Sequence, residues 1–441
     1  MESTRVSSSN TKLNLSKLIR TFLVFSITLI SVGGVSLFPH LLRFPLIVCS
    51  GAITAGFIMY KQKKVFISTP VTLLLLSVVY TFIAALTYSL DKSYTLQLAV
   101  VYMCSTLLLL ADYPESLFES VIKAIKIVCI VIAISIIVSS FIENCMLKYF
   151  WFIVNPTKSP NVTAAITQEL NWSVSYSGFA REKGEAAFIM NVGLCTCFAK
   201  YFSHRKYKLS DWVCILIFFW ALILTSKRML FICPIATISL MLLISKKKGR
   251  FQRIIPLVLL AVCGIIVIGA NVPDFMRVFE RFLDTDSMQN LSGRVYLWPH
   301  CFDMFSKAPL FGMGMGSFNQ YLKNINFTVS GEYWSHHAHN IYYQFLGELG
   351  IIGTLLLWGG LLMLLYRTIQ LLRSDQTTDN QKFLLIFSCS LQIICFIYCA
   401  SGNVLLFPQE IYPWFLSLGI TTTISNKLKR EKLNTRLFQV A

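Results

Sequence analysis

Residues 340–366 read NIYYQFLGELGIIGTLLLWGGLLMLLY and contain a single charged side chain, Glu348. A helix crosses the hydrocarbon core of a bilayer with roughly 20 predominantly apolar residues, and this stretch is longer than that. A stretch so long and so poor in charge does not suit the surface of a soluble domain. It therefore predicts a transmembrane helix.

The rest of the chain has the same character as this segment. Of its 441 residues, 55% are hydrophobic and 14% are charged, whereas soluble domains carry about 25% charged residues. We therefore predict an all-α polytopic membrane protein with about 12 transmembrane helices. The predicted spans are 18–39, 43–60, 69–89, 94–111, 121–142, 185–202, 211–226, 229–245, 252–270, 340–366, 383–401 and 408–425.

The basic residues predict the orientation of these spans. The formal net charge is +18, and clusters such as 61–64, 246–253 and 427–432 fall between or after the apolar runs. With the N-terminus inside, every cluster falls on the cytoplasmic side, which obeys the positive-inside rule. Membrane topology therefore explains the positive net charge better than nucleic-acid binding does. Both termini are predicted to be cytoplasmic.

The spans divide the chain into five parts: a cytoplasmic segment 1–17, a first bundle 18–270, a long periplasmic loop 271–339, three last spans in 340–425 and a cytoplasmic tail 426–441. The first bundle has about nine spans and includes a second long external loop, 143–184. Long loops of this kind are usually functional. The loop 271–339 is predicted to be partly helical, because Ser292 can cap the amphipathic stretch that follows it.

Three arginines at the predicted external side are candidates for anion binding. Arg228, in TSKRMLF, lies between two apolar runs, where a rim cation tends to face a cavity or an anion, although snorkelling at a helix end is the alternative. Arg181 adjoins Glu182 and Glu185, so a local salt bridge competes there with anion binding at a helix N-terminus. Arg294 begins the amphipathic stretch, and the planar guanidinium of arginine suits phosphate.

Three of the six histidines, His336, His337 and His339, lie in YWSHHAHN directly before the span at 340–366. They allow a metal site, an aromatic belt, or a histidine that acts as a general base or orients a ligand near neutral pH. Only Glu332 stands near enough to complete a metal site, so we predict no metal. No cofactor is predicted either.

The motifs together resemble a known family. SGRVYLWPHCFDMFSKAPLFGMGMGSF followed by HHAHNIYYQFLGELGIIG is similar to the signature region of the O-antigen ligase and O-antigen polymerase superfamily, and TSKRMLF resembles its rim arginine motif. The resemblance implies a metal-independent inverting glycosyltransferase in the bacterial inner membrane, with its active site on the periplasmic side. Such an enzyme moves a glycan from undecaprenyl diphosphate to a sugar hydroxyl during O-antigen or capsule synthesis.

The resemblance also implies roles for individual residues. Arg228 and Arg294 are expected to hold the donor diphosphate, and His339 to orient or deprotonate the acceptor with support from His337. Arg181 and Glu185 resemble a looser arginine and acid element for donor and substrate binding. Tyr333, Trp334 and Asn340 are further candidates for substrate binding, whereas His336 has no counterpart.

Three functions remain open at this point. A polymerase that joins repeat units is slightly favoured, because both long external loops carry an arginine. A ligase that transfers the finished glycan to lipid A core is the alternative. A transporter or flippase predicts related halves, which the sequence lacks. The expected partners are the lipid-linked glycan, a saccharide acceptor and the bilayer, with a regulator of polysaccharide chain length as a further candidate.

Overall fold

The computed structural model describes residues 3–33, 40–62, 65–142, 145–150, 175–203, 205–244, 294–329, 332–333 and 337–440, together with the single positions 255, 259 and 266. Apart from these three positions, the predicted span 252–270 lies outside the described residues. So do Ser292, Trp334, His336 and large parts of both predicted long loops.

The described chain is almost entirely helical. Its first half contains α1 (Ser3–Ser31), α2 (His40–Lys61), α3 (Thr69–Leu86), α4 (Lys92–Leu110), α5 (Glu115–Phe141), α6 (Cys145–Tyr149), α7 (Lys183–Phe202), α8 (Leu209–Leu224) and α9 (Arg228–Ile244). The second half contains α10 (Arg294–Lys307), α11 (Phe318–Asn324), α12 (Ile341–Leu372), α13 (Asp379–Cys399) and α14 (Pro408–Val440). Two short strands, β1 (Thr328–Val329) and β2 (Glu332–Tyr333), pair antiparallel between α11 and α12.

Six of the described helices are long and apolar enough to cross a membrane. They comprise Leu42–Lys61 of α2, α3, α4, α5, α12 and α13, and the shorter helices α8 and α9 are also apolar. The predicted spans 18–39, 185–202 and 408–425 overlap α1, α7 and α14, which are not among the six. A helical multi-pass membrane protein is therefore confirmed, while the number of twelve spans stays a prediction.

Contacts between helix ends place the first residues of α2, α4, α7, α9, α12 and α14 at one end of the bundle. Arg43 at the start of α2 donates to Gln409 in the first turn of α14. Tyr94 at the start of α4 donates to the backbone oxygen of Leu406, just before α14. We call this the site end.

The opposite end carries much of the basic charge, and we call it the basic end. Its ion pairs include Lys427 with Glu115 at 2.7 Å and Arg205 with Glu119 at 2.9 Å. Here the basic residues in the loops and the tail hold neighbouring helices together. The segregation of charge agrees with the predicted positive-inside arrangement, whereas the orientation in a bilayer remains a prediction.

Helix α13 lies at the centre of the bundle and is held by small polar side chains as well as apolar ones. Ser388 bonds to the carbonyl oxygen of Ser417 at 2.6 Å and to the Thr421 hydroxyl at 2.9 Å. Gln392 donates to Thr368 of α12 at 2.9 Å. Such bonds between helices are a common means of holding membrane bundles together. They fix α13, whose end carries the connection to α14 at the site end.

The buried carboxylate of Glu348 accepts hydrogen bonds from the segments that precede α12 and from α12 itself. Its Oε2 accepts from the N–H of Gly316 at 2.7 Å, and its Oε1 accepts from the N–H of Phe318 at 2.9 Å. Gln344, one turn earlier on α12, donates to the same Oε1 at 2.8 Å and accepts from the N–H of Ala338 at 3.0 Å. One carboxylate thus ties three segments to α12: the glycine turn (residues 312–316), the start of α11 and the histidine segment (residues 337–339).

Candidate active site

Helix α10 is docked onto the histidine segment. The indole N–H of Trp298 donates to the carbonyl oxygen of Ala338, between the two histidines, at 3.0 Å. Arg294 lies four residues earlier and therefore on the same face of α10. Partial burial lowers the pKa of its guanidinium, and the nearby Tyr398 of α13 opposes this shift. A partly desolvated cation is thus held beside the histidine segment.

His339 has a strained backbone and a fixed ring. Its φ is +52°, in the left-handed region that few residues other than glycine adopt. Its Nδ1 lies 3.2 Å from the amide nitrogen of Asn403, in the connection between α13 and α14. In this arrangement Nδ1 accepts and Nε2 carries the hydrogen, and a half-turn of the Asn403 amide reverses these roles.

The neighbouring residues of the motif have packing and capping contacts. The His337 ring lies edge-on against Phe407, with ring centroids 5.4 Å apart. The Asn340 side chain accepts from the N–H of Tyr343 at 3.2 Å and so caps α12. His337 and His339 therefore pack against residues 400–407. Asn340 caps α12, and its predicted contact with substrate stays a prediction.

Arg181 forms the local salt bridge that the sequence offered as an alternative to anion binding. Its Nε donates to Oε2 of Glu185 at 3.1 Å, and its Nη2 bonds to the other carboxylate oxygen. Glu185 is only 3% exposed and also accepts from the side-chain amide of Gln409. The pair fastens the start of α7 to the start of α14.

A cavity of about 340 Å³ opens beside this pair at the site end. Arg181 lines it together with Arg43, whose Nη1 donates to Oε1 of Gln409 at 2.8 Å. The remaining lining residues are Phe44, Ile47, Tyr94, Gln97, Leu98, Val101, Leu406, Phe407 and Pro408. The cavity thus combines two guanidinium groups with a largely apolar wall, and Phe407 connects it to His337.

Tyr398 marks the place where α7, α9, α10 and α13 converge. A Cβ added at Gly184 would lie 3.3 Å from the Tyr398 hydroxyl and 4.0 Å from Cε of Lys227. Arg228, the next residue after Lys227, is the half-buried first residue of α9. Tyr398 is also within electrostatic range of Arg294. The predicted rim arginine therefore belongs to the same end of the bundle as Arg181 and Arg294.

The structure places most of the predicted site residues at one end, and it adds others that the sequence analysis missed. Glu185, His337, His339 and the three arginines lie at the site end, whereas the side chains of Tyr333 and Trp334 are outside the described part. Arg43, Tyr398, Asn403 and Gln409 were missed. Arg43 had a usable signal, because HLLRFPL places a cation at the predicted external end of a span, as TSKRMLF does.

Within the described ranges, no group of three histidine, cysteine, aspartate or glutamate side chains is arranged to hold a metal ion. His336 lies outside those ranges, so the absence of a metal stays a prediction.

Fold and site together define a multi-pass helical membrane protein with a cluster of arginines and histidines at one end of its bundle. Residues 213–358 match the O-antigen ligase family. Over those residues, this match confirms the resemblance to the O-antigen ligase and polymerase superfamily seen in the sequence. A search of curated proteins gave no match.

The matched region extends from α8 into the middle of α12. It includes Arg228, Arg294 and His339, whereas Arg43 and Arg181 precede it. The cavity is therefore lined by residues that the family match does not cover.

A double substitution separates the two interpretations of Arg181. Arg181→Gln alone is expected to cost about 3 kcal/mol of stability, because it leaves the buried Glu185 carboxylate without its cation. Adding Glu185→Gln removes that charge and is expected to restore most of the thermal stability in detergent. If Arg181 also binds an anion, transfer activity stays low in the stable double variant. If activity recovers along with stability, Arg181 acts only through its salt bridge with Glu185 and does not bind an anion.

Proposed function

We propose that this protein is a glycosyltransferase that moves a glycan from an undecaprenyl-diphosphate donor to a sugar hydroxyl in the synthesis of a bacterial surface polysaccharide. The observation that carries the proposal is the convergence of arginines and histidines at one end of a membrane bundle, beside a cavity with an apolar wall. The family match supports glycan transfer of this type. We place the protein in the inner membrane with the site end facing the periplasm.

The chemistry of this reaction suits these residues. Breaking the bond between sugar and diphosphate leaves negative charge on the departing diphosphate, and fixed cations stabilise that charge most strongly in the transition state. Arg228 and Arg294 are assigned this task, and Arg181 extends the cationic surface into the cavity. Because the donor already contains an activated bond, no nucleotide is required.

His339 is assigned to the acceptor. When Nε2 carries the hydrogen, the ring orients the acceptor by donating to it. When the Asn403 amide turns and Nδ1 carries the hydrogen, Nε2 can take the proton from the attacking hydroxyl. Attack from the face opposite the diphosphate inverts the configuration at the sugar.

The proposal is tested with purified protein and a lipid-linked glycan. We expect undecaprenyl diphosphate to be released in step with transfer of the glycan, with no added nucleotide. Movement of intact lipid-linked glycan across a vesicle membrane without carrier release would instead indicate a transporter, and would overturn the assignment.

A repeat-unit polymerase is the slightly favoured form of this activity, and an O-antigen ligase is the alternative. Both use the same donor chemistry and differ in the acceptor. The glycan of a deletion strain separates them: a core with one repeat unit indicates a lost polymerase, and free lipid-linked polymer indicates a lost ligase.

Chelation is expected to leave transfer unaffected. In this proposal arginines, rather than a metal ion, stabilise the negative charge on the leaving diphosphate. EDTA should therefore change the transfer rate by less than about twofold, whereas it would inactivate a zinc-dependent site. The transfer assay with and without EDTA measures this. Inhibition that zinc reverses would revive a metal site at the histidines.

A further inference from the structure

Arg43 is a buried cation that faces a cavity and has no carboxylate partner among the described residues. Its side chain is 8% exposed. One guanidinium nitrogen donates to Gln409, another donates to the carbonyl oxygen of Gly33, and Nε has no hydrogen-bond partner in the part of the chain that the structure describes. A buried charge normally has a counter-ion, because desolvation without one is costly. Arg43 thus has the properties of a residue that awaits an anion.

The neighbouring charges compensate this cation only in part, because Glu185 attracts Arg43 while Arg181 repels it. Glu185, the nearby carboxylate, already binds Arg181 through both oxygens. Gln409 lies between the two, accepting from Arg43 and donating to Glu185. It therefore positions the Arg43 guanidinium at the cavity without neutralising it.

The cavity wall suggests what kind of molecule carries the anion. The lining residues of α2 and α4 are mostly apolar, including Ile47, Leu98 and Val101. On α2, Phe44 is 41% exposed and Val48 is 39% exposed on the surface that would face lipid. A ligand with an anionic head and an apolar chain matches both parts of this environment.

We propose that the cavity binds the phosphate group of an isoprenoid-linked lipid, with Arg43 in direct contact with the phosphate and the isoprenoid chain along the apolar wall of α2 and α4. This inference rests on the proposed function for the identity of the lipid and adds a binding residue outside the matched family region. Arginine suits this role because its planar group forms two parallel hydrogen bonds to phosphate.

Binding of undecaprenyl phosphate tests the proposal directly. The full chain is placed in nanodiscs of phosphatidylcholine, and the dissociation constant is measured by titration. Arg43→Gln is expected to weaken binding by about 10- to 100-fold, the range for losing a hydrogen bond to a charged group. Arg367→Gln is the matched control, because Arg367 also bonds to a neighbouring helix, through Ser425 at 3.1 Å, but does not line the cavity.

A pair of charge substitutions at an exposed position of the cavity tests the same interaction without altering a buried side chain. Gln97 is exposed and lines the cavity. Gln97→Glu should weaken undecaprenyl phosphate binding and Gln97→Lys should strengthen it, each by about two- to fivefold, as for an exposed charge pair. Equal effects of the two substitutions, or unchanged binding by folded Arg43→Gln, would overturn the proposal.

Two further probes identify the source of the phosphate. Inorganic phosphate is expected to bind far more weakly than undecaprenyl phosphate, because it lacks the chain. Dioleoyl phosphatidic acid should also bind more weakly, and equal affinity would make this a general headgroup site and overturn the isoprenoid assignment. Because binding is measured without turnover, a protein that binds undecaprenyl phosphate through Arg43 but transfers no glycan would refute only the proposed function.

Discussion

His339→Ala is expected to lower the rate of glycan transfer by about 10²- to 10⁴-fold, the usual contribution of a positioned acid or base. The ring is half-buried and fixed by Asn403, and it adjoins the segment that leads to the cavity. Under the proposed assignment, alanine removes the imidazole that would take the proton from the acceptor or orient it. The purified transfer assay measures the loss, and long-chain glycan is expected to disappear in cells.

Backbone strain at this position calls for a second variant. Because φ is +52°, alanine there is strained, whereas asparagine tolerates the left-handed region better. His339→Asn keeps a hydrogen-bond donor but cannot act as a base at neutral pH. A loss as large as that of His339→Ala indicates proton removal, and substantial retained activity indicates orientation.

His300→Ala is the matched control for both variants. His300 lies on α10 and packs against Phe327, with ring centroids 4.7 Å apart, so it tests the loss of an imidazole from the same region. Its transfer rate should equal that of the wild type. Wild-type transfer by a correctly inserted His339→Ala protein would refute the assignment of His339.

The hydropathy pattern predicted the helical bundle well, because each span is encoded by a continuous stretch of sequence. The clusters of basic residues are also encoded locally in the sequence, and in the structure several of these residues form ion pairs at the basic end. The motif at residues 294–350 contains Arg294 and His339, which lie at the same end of the bundle in the structure, while their roles stay a prediction. All of these features depend on residues that are close together in the chain.

The cavity could not be predicted in this way, because its key contact joins distant residues. Arg43 and Gln409 are separated by 366 positions. Neither residue forms a recognisable motif alone, since Arg43 looks like a rim cation and Gln409 like an ordinary polar residue at a helix start. Only the packing of α2 against α4 and α14 brings them together.

The role of Glu348 could not be predicted from the sequence either. It appears as the one charge in an apolar stretch and as part of a family motif, which leaves open whether it serves chemistry or structure. Its three hydrogen bonds assign it to structure, because every donor comes from the glycine turn, α11 or Gln344. Through Gln344 it reaches Ala338, between His337 and His339.

Glu348→Gln is accordingly expected to destabilise the protein by about 2–3 kcal/mol, although the two side chains have nearly the same size. A carboxylate accepts on both oxygens, whereas an amide must place its NH₂ group against at least one of the three donors. A buried donor is then left without an acceptor. The melting temperature in detergent should fall by about 2–3 °C, and transfer should fall as well, because the histidine segment loses its support.

Glu410→Gln is the matched control, because Glu410 is also a buried glutamate but its Oε2 has no hydrogen-bond partner within the described part of the chain. Its amide meets no opposing donor there, so its melting temperature should stay unchanged or rise. The contrast between two identical substitutions isolates the hydrogen bonds from burial. Equal destabilisation by both would show that burial of the carboxylate, rather than its three donors, determines the stability of this end of α12.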